Sequence, residues 1–250
     1  GFKFKLSTKV AAAKAGKDGV TLTLEPAAGG KGETMTADVV LISVGRRPCT
    51  EDLGLEAAGV ALDGRAIGVN EFLQTNVPNI FAIGDVTDKM QLAHVATAQG
   101  RVVVDNLIAN ETKAAMMQMN YDEIPAAVFT HPEIATIGLT PEQAEARGVP
   151  VKIGKFPFAA IGKALAEGER DGFVKLIAHA ETGQLLGGHI IGGHAAELIG
   201  QITLAIKLKA TAEQLTETIF AHPTLSEAIL EAAESLFGQA THLPKARERK

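Results

Sequence analysis

Ala221-His222-Pro223-Thr224-Leu225-Ser226-Glu227-Ala228 is the stretch on which the reading of this chain turns. It sets a histidine and a carboxylate at the mouth of a helix, close enough in sequence to meet in space. Imidazole exchanges a proton near neutrality, and a nearby carboxylate fixes its tautomer and stabilises the imidazolium. The pair reads as proton-transfer machinery. Thr224-Leu225-Ser226-Glu227 is also a capping box, in which Thr224 caps the helix and Glu227 reaches back to the cap amide. The two roles are compatible, because one carboxylate oxygen can cap while the other orients His222.

Upstream, Asn79-Ile80-Phe81-Ala82-Ile83 reads as a buried strand, Gly84-Asp85 as an acidic turn, and a helix follows from about Leu92 to Ala109. Strand, acidic turn and helix form a nucleotide-site geometry. Gly84 lets a ligand approach the backbone and Asp85 can accept hydrogen bonds from hydroxyls, although an aspartate after a strand also serves as a turn residue or cap.

The first segment reads as an antiparallel meander: Lys3 to Val10 alternates, Gly19 is a turn, and Val20 to Leu24 alternates again. Gly29-Gly30-Lys31-Gly32 is a polar connection with no helix after it. Val39-Val40-Leu41-Ile42 is expected to be a buried strand ending at Gly45-Arg46-Arg47-Pro48. From about Tyr121 the character changes to strands at Ala126 to Phe129, Val151 to Phe158, Gly172 to His179 and Gln184 to Ile191. Helices intervene. One opens at Thr140-Pro141-Glu142-Gln143 with a cap, a first-turn proline and a capping-box glutamine. Another, about Ala195 to Leu208, places Leu198, Ile202, Ala205 and Ile206 on one stripe. Lys245 to Lys250 reads as a frayed charged tail.

The chain has 250 residues, 46% hydrophobic and 21% charged, enough for one large or two moderate domains. A net charge of -5 offers no basic face for nucleic acid or an anionic membrane. No apolar run approaches the roughly 20 residues that span a bilayer. A cytoplasmic location fits best. Cys49 is the only cysteine, so no internal disulfide or thiolate cluster is possible. His189 and His194 flank Ile190-Ile191-Gly192-Gly193, but no further ligand completes a metal site there. His131-Pro132-Glu133 repeats the His-Pro dipeptide without a carboxylate helix behind it and reads as structural.

The octapeptide from Ala221 to Ala228, with Phe81-Ala82-Ile83-Gly84-Asp85-Val86, resembles the signatures of the flavoprotein pyridine nucleotide-disulfide oxidoreductase family. Leu225 and the run Ala228-Ile229-Leu230-Glu231-Ala232 favour its lipoamide-oxidising branch. The resemblance implies a fold that is α/β and α+β: the remainder of two dinucleotide-binding flavoprotein domains, then an α+β dimerisation domain with an antiparallel sheet. Residues 1–48 would end the NAD-binding domain, 49–120 would form the C-terminal part of the FAD-binding and central region, and 121–250 the dimerisation domain. It implies FAD contacts at Gly84, Asp85, Gln91, Leu92, Ala93 and His94, the last chiefly through backbone, and an NAD contact at Gly45. His222 would be the acid/base and Glu227 its partner, serving the disulfide and flavin of the other subunit of a homodimer. The implied partner is a lipoyl-bearing acyltransferase of a 2-oxo acid dehydrogenase complex, or the glycine-cleavage lipoyl protein. A sister reductase acting on glutathione shares this chemistry, and a dimerisation or docking module without turnover is the alternative of a different class. The family's Cys-x4-Cys pair and Gly-x-Gly-x-x-Gly turns are absent here, so the chain is expected to be the C-terminal half of a longer protein.

Overall fold

The computed structural model describes residues 1–243, and the expected tail from Lys245 to Lys250 lies outside the described residues. The chain divides into two compact units, Gly1–Arg47 and a second beginning at Pro48.

The first unit is an antiparallel meander of β1 (Thr8–Gly16), β2 (Gly19–Pro26) and β3 (Glu33–Ala37), hydrogen-bonded in that order. The strand expected from Lys3 begins only at Thr8. Gly19 takes φ +118°, and a side chain there would put its Cβ 2.6 Å from the Ala37 carbonyl oxygen, so the turn needs glycine. The buried strand expected at Val39 to Ile42 does not form: Val39 is 83% and Leu41 88% exposed. An apolar run becomes a buried strand only where neighbours pair with its backbone and cover its faces, and the meander ends at Ala37 without supplying either.

In the second unit, β4 (Leu62–Asp63) and β5 (Ala66–Ile67) form a minimal hairpin. The strand expected at Asn79 to Ile83 is reduced to one bridge, Phe81 with Gln74, and Ile83 is 41% exposed. Local side chains hold this loop instead: Thr75 Oγ1 donates to the Ile80 carbonyl at 2.9 Å and Asn76 Nδ2 to that of Gly59 at 2.8 Å. Helix α1 (Ala93–Thr112) follows. Its buried stripe is Val95, Gln99, Val102, Asn106 and Ala109. The spacing is helical, but two of these side chains are amides and must find partners. Asn106 does so by accepting from the Met117 amide at 2.6 Å and donating to its carbonyl at 2.9 Å.

The remainder is a five-stranded antiparallel sheet in the order β6-β7-β10-β9-β8, made of β6 (Ala126–Val128), β7 (Glu133–Gly138), β8 (Val151–Pro157), β9 (Phe173–His179) and β10 (Leu185–Gly192). Strand β7 was not among the strands legible in sequence. Between its strands lie α2 (Pro141–Ala146) and α3 (Gly162–Glu167); after β10 come α4 (Ala195–Lys207), α5 (Ala212–Thr216) and α6 (Glu227–Ser235). Register puts Ala135, Ile190, Val174 and Phe156 in one row facing the helices, with Ile137, Gly188, Leu176 and Gly154 in the next. Against these rows α4 packs Leu198, Ile202 and Ile206, and α6 packs Ala228, Ile229 and Ala232. The capping box at the start of α2 is complete: Gln143 N–H donates to Thr140 Oγ1 at 3.2 Å, and the Thr140 amide to Gln143 Oε1 at 2.9 Å.

His189 occupies the opposite face of the sheet, in register with Lys175, and neither ring nitrogen has a hydrogen-bond partner. Burial pushes its pKa down from 6.5; Lys175 adds to this and Glu142 opposes it. A base with a depressed folded pKa favours folding while it is neutral, so its contribution is present above about pH 6.5 and lost as pH falls through the folded value. His189→Leu should therefore flatten the acid side of the stability profile. Urea midpoints measured above and below that pH check this, and parallel profiles for the two proteins would contradict it.

Candidate active site

The candidate site is built at the N-terminal end of α6. Glu227 is the first residue of the helix. His222 Nδ1 lies 2.8 Å from Glu227 Oε1, and the Thr224 amide donates to Glu227 Oε2 at 2.8 Å. One carboxylate thus fixes the imidazole and the entry turn together. The capping box is only half formed: Thr224 Oγ1 donates to the Ala221 carbonyl at 2.7 Å, and the N-cap position falls to Ser226. The tight turn through His222-Pro223 brings the threonine hydroxyl back onto Ala221 before the helix starts, so it does not reach the helical amides.

Glu227 has 20% of its side chain exposed and His222 76%. Burial pushes the Glu227 carboxyl up, but the Thr224 amide and the His222 ring outweigh it and hold it below the ordinary range. With Glu227 ionised, the Nδ1 proton of His222 points at Oε1 and Nε2 is left as the acceptor. The ring opens on a cavity of about 450 Å³ whose walls include Ile161, Leu165 and Leu230. Glu231, Glu234, Thr241 and His242 also line it, so the cavity offers both aliphatic and polar groups to a ligand with an apolar chain and an acidic hydrogen.

A second pair in this cavity escaped the sequence reading. Glu231, one turn along α6, holds His242 Nδ1 at 2.5 Å, and its other oxygen accepts from the His242 amide at 3.3 Å. The pattern repeats that of Glu227: one oxygen to a ring nitrogen, the other to a backbone N–H. Glu231 raises the His242 pKa, its hydrogen bond outweighing burial. The available signal was a glutamate on the buried stripe of α6, between Ala228 and Ala232. No spacing rule locates its partner, because the chain must first turn back beyond the helix.

The flavin-contact residues expected from sequence lie elsewhere in the second unit. Gly84 to Thr87 form a 3-10 turn, with Gly84 at φ +74°. Gln91 donates through Nε2 to Asp88 Oδ1 at 2.9 Å, and Leu92, Ala93 and His94 lead into α1. Leu92 at the N-cap contributes no side-chain hydrogen bond, and the first turn has no acidic residue. The N-terminal end of a 20-residue helix is therefore left with its positive dipole uncompensated by its own side chains. The His94 ring bonds the Pro125 carbonyl oxygen at 2.8 Å, and a mainly apolar cavity of about 460 Å³ opens beside Leu92, His94, Ala127, Phe129 and Ile199. This cavity and the one at His222 share no residue. Gly45 lies in the first unit at φ +102°. His131 is exposed, with Nε2 4.0 Å from Glu169 Oε2, and no carboxylate grips it as Glu227 grips His222.

Two models of one family match the chain. Residues 1–100 match the pyridine nucleotide-disulphide oxidoreductase model, and residues 124–233 its dimerisation domain. The dihydrolipoyl dehydrogenase of Chlamydia muridarum is 44% identical over 249 residues, covering 99% of this chain and 51% of that protein. The mitochondrial dihydrolipoyl dehydrogenase of Rattus norvegicus is 44% identical over 234 residues, covering 93% and 45%. Among solved structures, LpdA of Mycobacterium tuberculosis superimposes with a TM-score of 0.81 at 30% identity, covering 92% of this chain and 48% of its own. The HOCl-induced flavoprotein disulfide reductase RclA of Escherichia coli gives 0.76 at 28% identity, covering 88% and 49%. The chain spans about half the length of the curated relatives it matches. With an antiparallel sheet under the dimerisation match and the two models together matching residues 1–100 and 124–233, the chain belongs to the pyridine nucleotide-disulphide oxidoreductase family.

Proposed function

We propose that the complete protein is a dihydrolipoamide dehydrogenase, converting dihydrolipoamide and NAD+ to lipoamide, NADH and a proton, and that this chain supplies its acid/base pair. The observation that carries the proposal is Glu227 gripping His222 Nδ1 and the Thr224 amide at once, which leaves Nε2 free of that carboxylate in a ring that lines a cavity of mixed aliphatic and acidic groups. His222 Nε2 takes the proton of a substrate thiol, and the thiolate so formed is the nucleophile of disulfide exchange. Glu227 holds the ring and stabilises the imidazolium until the proton is passed on.

The residues at Gly84 to His94 fit a flavin. A Cβ on Gly84 would come 3.3 Å from that of Ala96, so glycine keeps this turn close against α1. The uncompensated start of α1 is suited to an electron-rich ring edge. FAD, when bound, links thiol oxidation to nicotinamide reduction by accepting and releasing an electron pair. Asp85 would accept hydrogen bonds from its hydroxyls, with Gln91, Leu92, Ala93 and His94 bordering it, and Gly45 would approach NAD. In this scheme residues 1–48 finish the NAD domain, 49–120 belong to the FAD and central region, and 121–250 form the dimerisation domain. The match of residues 124–233 to a dimerisation domain, with His222 in a cavity that none of the residues from Gly84 to His94 lines, supports a homodimer in which each His222 serves the partner's redox centre. The physiological partner is then a lipoyl-bearing acyltransferase or the glycine-cleavage lipoyl protein, and the location cytoplasmic. No helix among the described residues is long and apolar enough to cross a membrane.

Glu227→Gln separates orientation from capping. The amide oxygen of glutamine can still accept from Thr224, but His222 loses its anionic partner. Turnover of the complete protein should fall about ten- to a hundredfold, the scale of a lost charged hydrogen bond, while the thermal midpoint moves little. A loss confined to stability would leave Glu227 as a cap alone.

A further inference from the structure

Gln99 lies in the middle of α1 and is fully buried. A buried amide needs partners for both ends, and Gln99 has one on each. Its Oε1 accepts from the Gly84 amide at 2.6 Å, and its Nε2 donates to the Tyr121 hydroxyl oxygen at 3.0 Å. Gly84 is held from its other side too, since Thr87 Oγ1 donates to its carbonyl at 2.8 Å. The Gly84-Asp85 turn is thus fixed by side chains and by no strand ladder. Tyr121 is the chain's only tyrosine, three residues before the start of the dimerisation-domain match. The two residues after it are bonded into that domain: Asp122 pairs with Arg147 at 2.6 Å and Glu123 with Lys207 at 2.8 Å. Polar contacts therefore run from the turn that presents Asp85, through one buried amide, to α2 and α4 of the sheet domain.

We propose that Gln99 is a positioning residue for the flavin turn and that, through Tyr121, it couples FAD binding to the seating of the dimerisation domain. This rests on the reading that Gly84 and Asp85 contact the flavin. Removing the Gln99 amide leaves the Gly84 N–H buried without an acceptor, and the turn relaxes away from the geometry that holds Asp85. Removing the Tyr121 hydroxyl frees the other end of the same amide, so the change at Tyr121 reaches the turn only through Gln99.

The test is FAD affinity, measured by flavin fluorescence on the complete protein stripped of cofactor and reloaded. The variants are Asp85→Ala, Gln99→Leu, Gln99→Glu, Tyr121→Phe and the Gln99→Leu/Tyr121→Phe double. Asp85→Ala examines the underlying reading: unchanged affinity there removes the flavin site itself. With that site upheld, Gln99→Leu should weaken FAD about tenfold or more, the scale of a buried N–H left unpaired. Gln99→Glu, which keeps an acceptor for Gly84, should restore most of it. Tyr121→Phe, a mild change that keeps the ring, should weaken FAD about threefold while the thermal midpoint of the FAD-free protein stays close to the parent, and the double variant should be no worse than Gln99→Leu alone. Parent-like FAD affinity in Tyr121→Phe, or losses that add in the double variant, would overturn the coupling.

Discussion

Replacing His222 by glutamine in the complete protein should lower dihydrolipoamide turnover about a hundred- to ten-thousand-fold, the range for a lost general acid/base. Glutamine keeps the approximate length and can still reach Glu227, but it has no nitrogen that exchanges a proton near neutrality. The thiol must then ionise unaided. Most of the ring is exposed, at 76%, so the substitution removes little packing and the fold should survive it. Flavin content should survive as well, because the cavity that His222 lines includes none of the residues from Gly84 to His94. The check is a steady-state rate alongside a visible spectrum. A normal spectrum with near-normal turnover would remove His222 from the mechanism, and a lost spectrum would make the residue structural.

Gly154→Ala should be a strongly damaging single-methyl change in the sheet domain, costing about 3 kcal/mol, at the upper end for overpacking. Gly154 lies on β8 directly beneath α6. A Cβ there would sit 2.1 Å from the Ala232 carbonyl oxygen, 2.8 Å from Leu236 Cγ and 2.9 Å from Ser235 Oγ. The first of these is backbone and cannot rotate away. Ser235 is also committed, accepting from the Lys155 amide at 2.9 Å while donating to Ala232 at 2.8 Å. The helix must lift off the strand, carrying Glu227 and Glu231 with it. Urea unfolding measures the stability loss, and turnover should fall in parallel as the grip on His222 loosens. A stable, fully active Gly154→Ala protein would mean that α6 is not seated on β8 as described.

What the sequence revealed about the fold follows the range of the interactions concerned. Val151 to Pro157, Phe173 to His179 and Leu185 to Gly192 were legible as strands because their side-chain pattern already contains the buried face. Helix α4 was legible from its single apolar stripe, and α2 from Thr140 and Gln143, whose two bonds need only the local backbone. The failures were residues whose state depends on distant chain. Val39 to Ile42 and Asn79 to Ile83 are apolar enough for a parallel sheet, but a strand needs partners, and the described residues give them a single bridge. Strand β7 was obscured by Ala135 and Gly138, which carry little β signal, and is fixed instead by its register with β10.

The site divides in the same way. That one glutamate could serve both a cap amide and a histidine was readable, because the turn at Pro223 keeps all three groups local. The threonine half of that cap does not form, since Thr224 turns its hydroxyl to Ala221. The Glu231–His242 pair and the two-ended use of Gln99 were invisible, each closing only when separate segments fold together.

The decisive measurement is made on the complete protein that contains this chain: its bound flavin, together with NADH formation from dihydrolipoamide and NAD+. A yellow protein that forms NADH from dihydrolipoamide, and does not reduce glutathione disulfide, is the expected result. A colourless protein, or a yellow one that leaves dihydrolipoamide untouched, would contradict it.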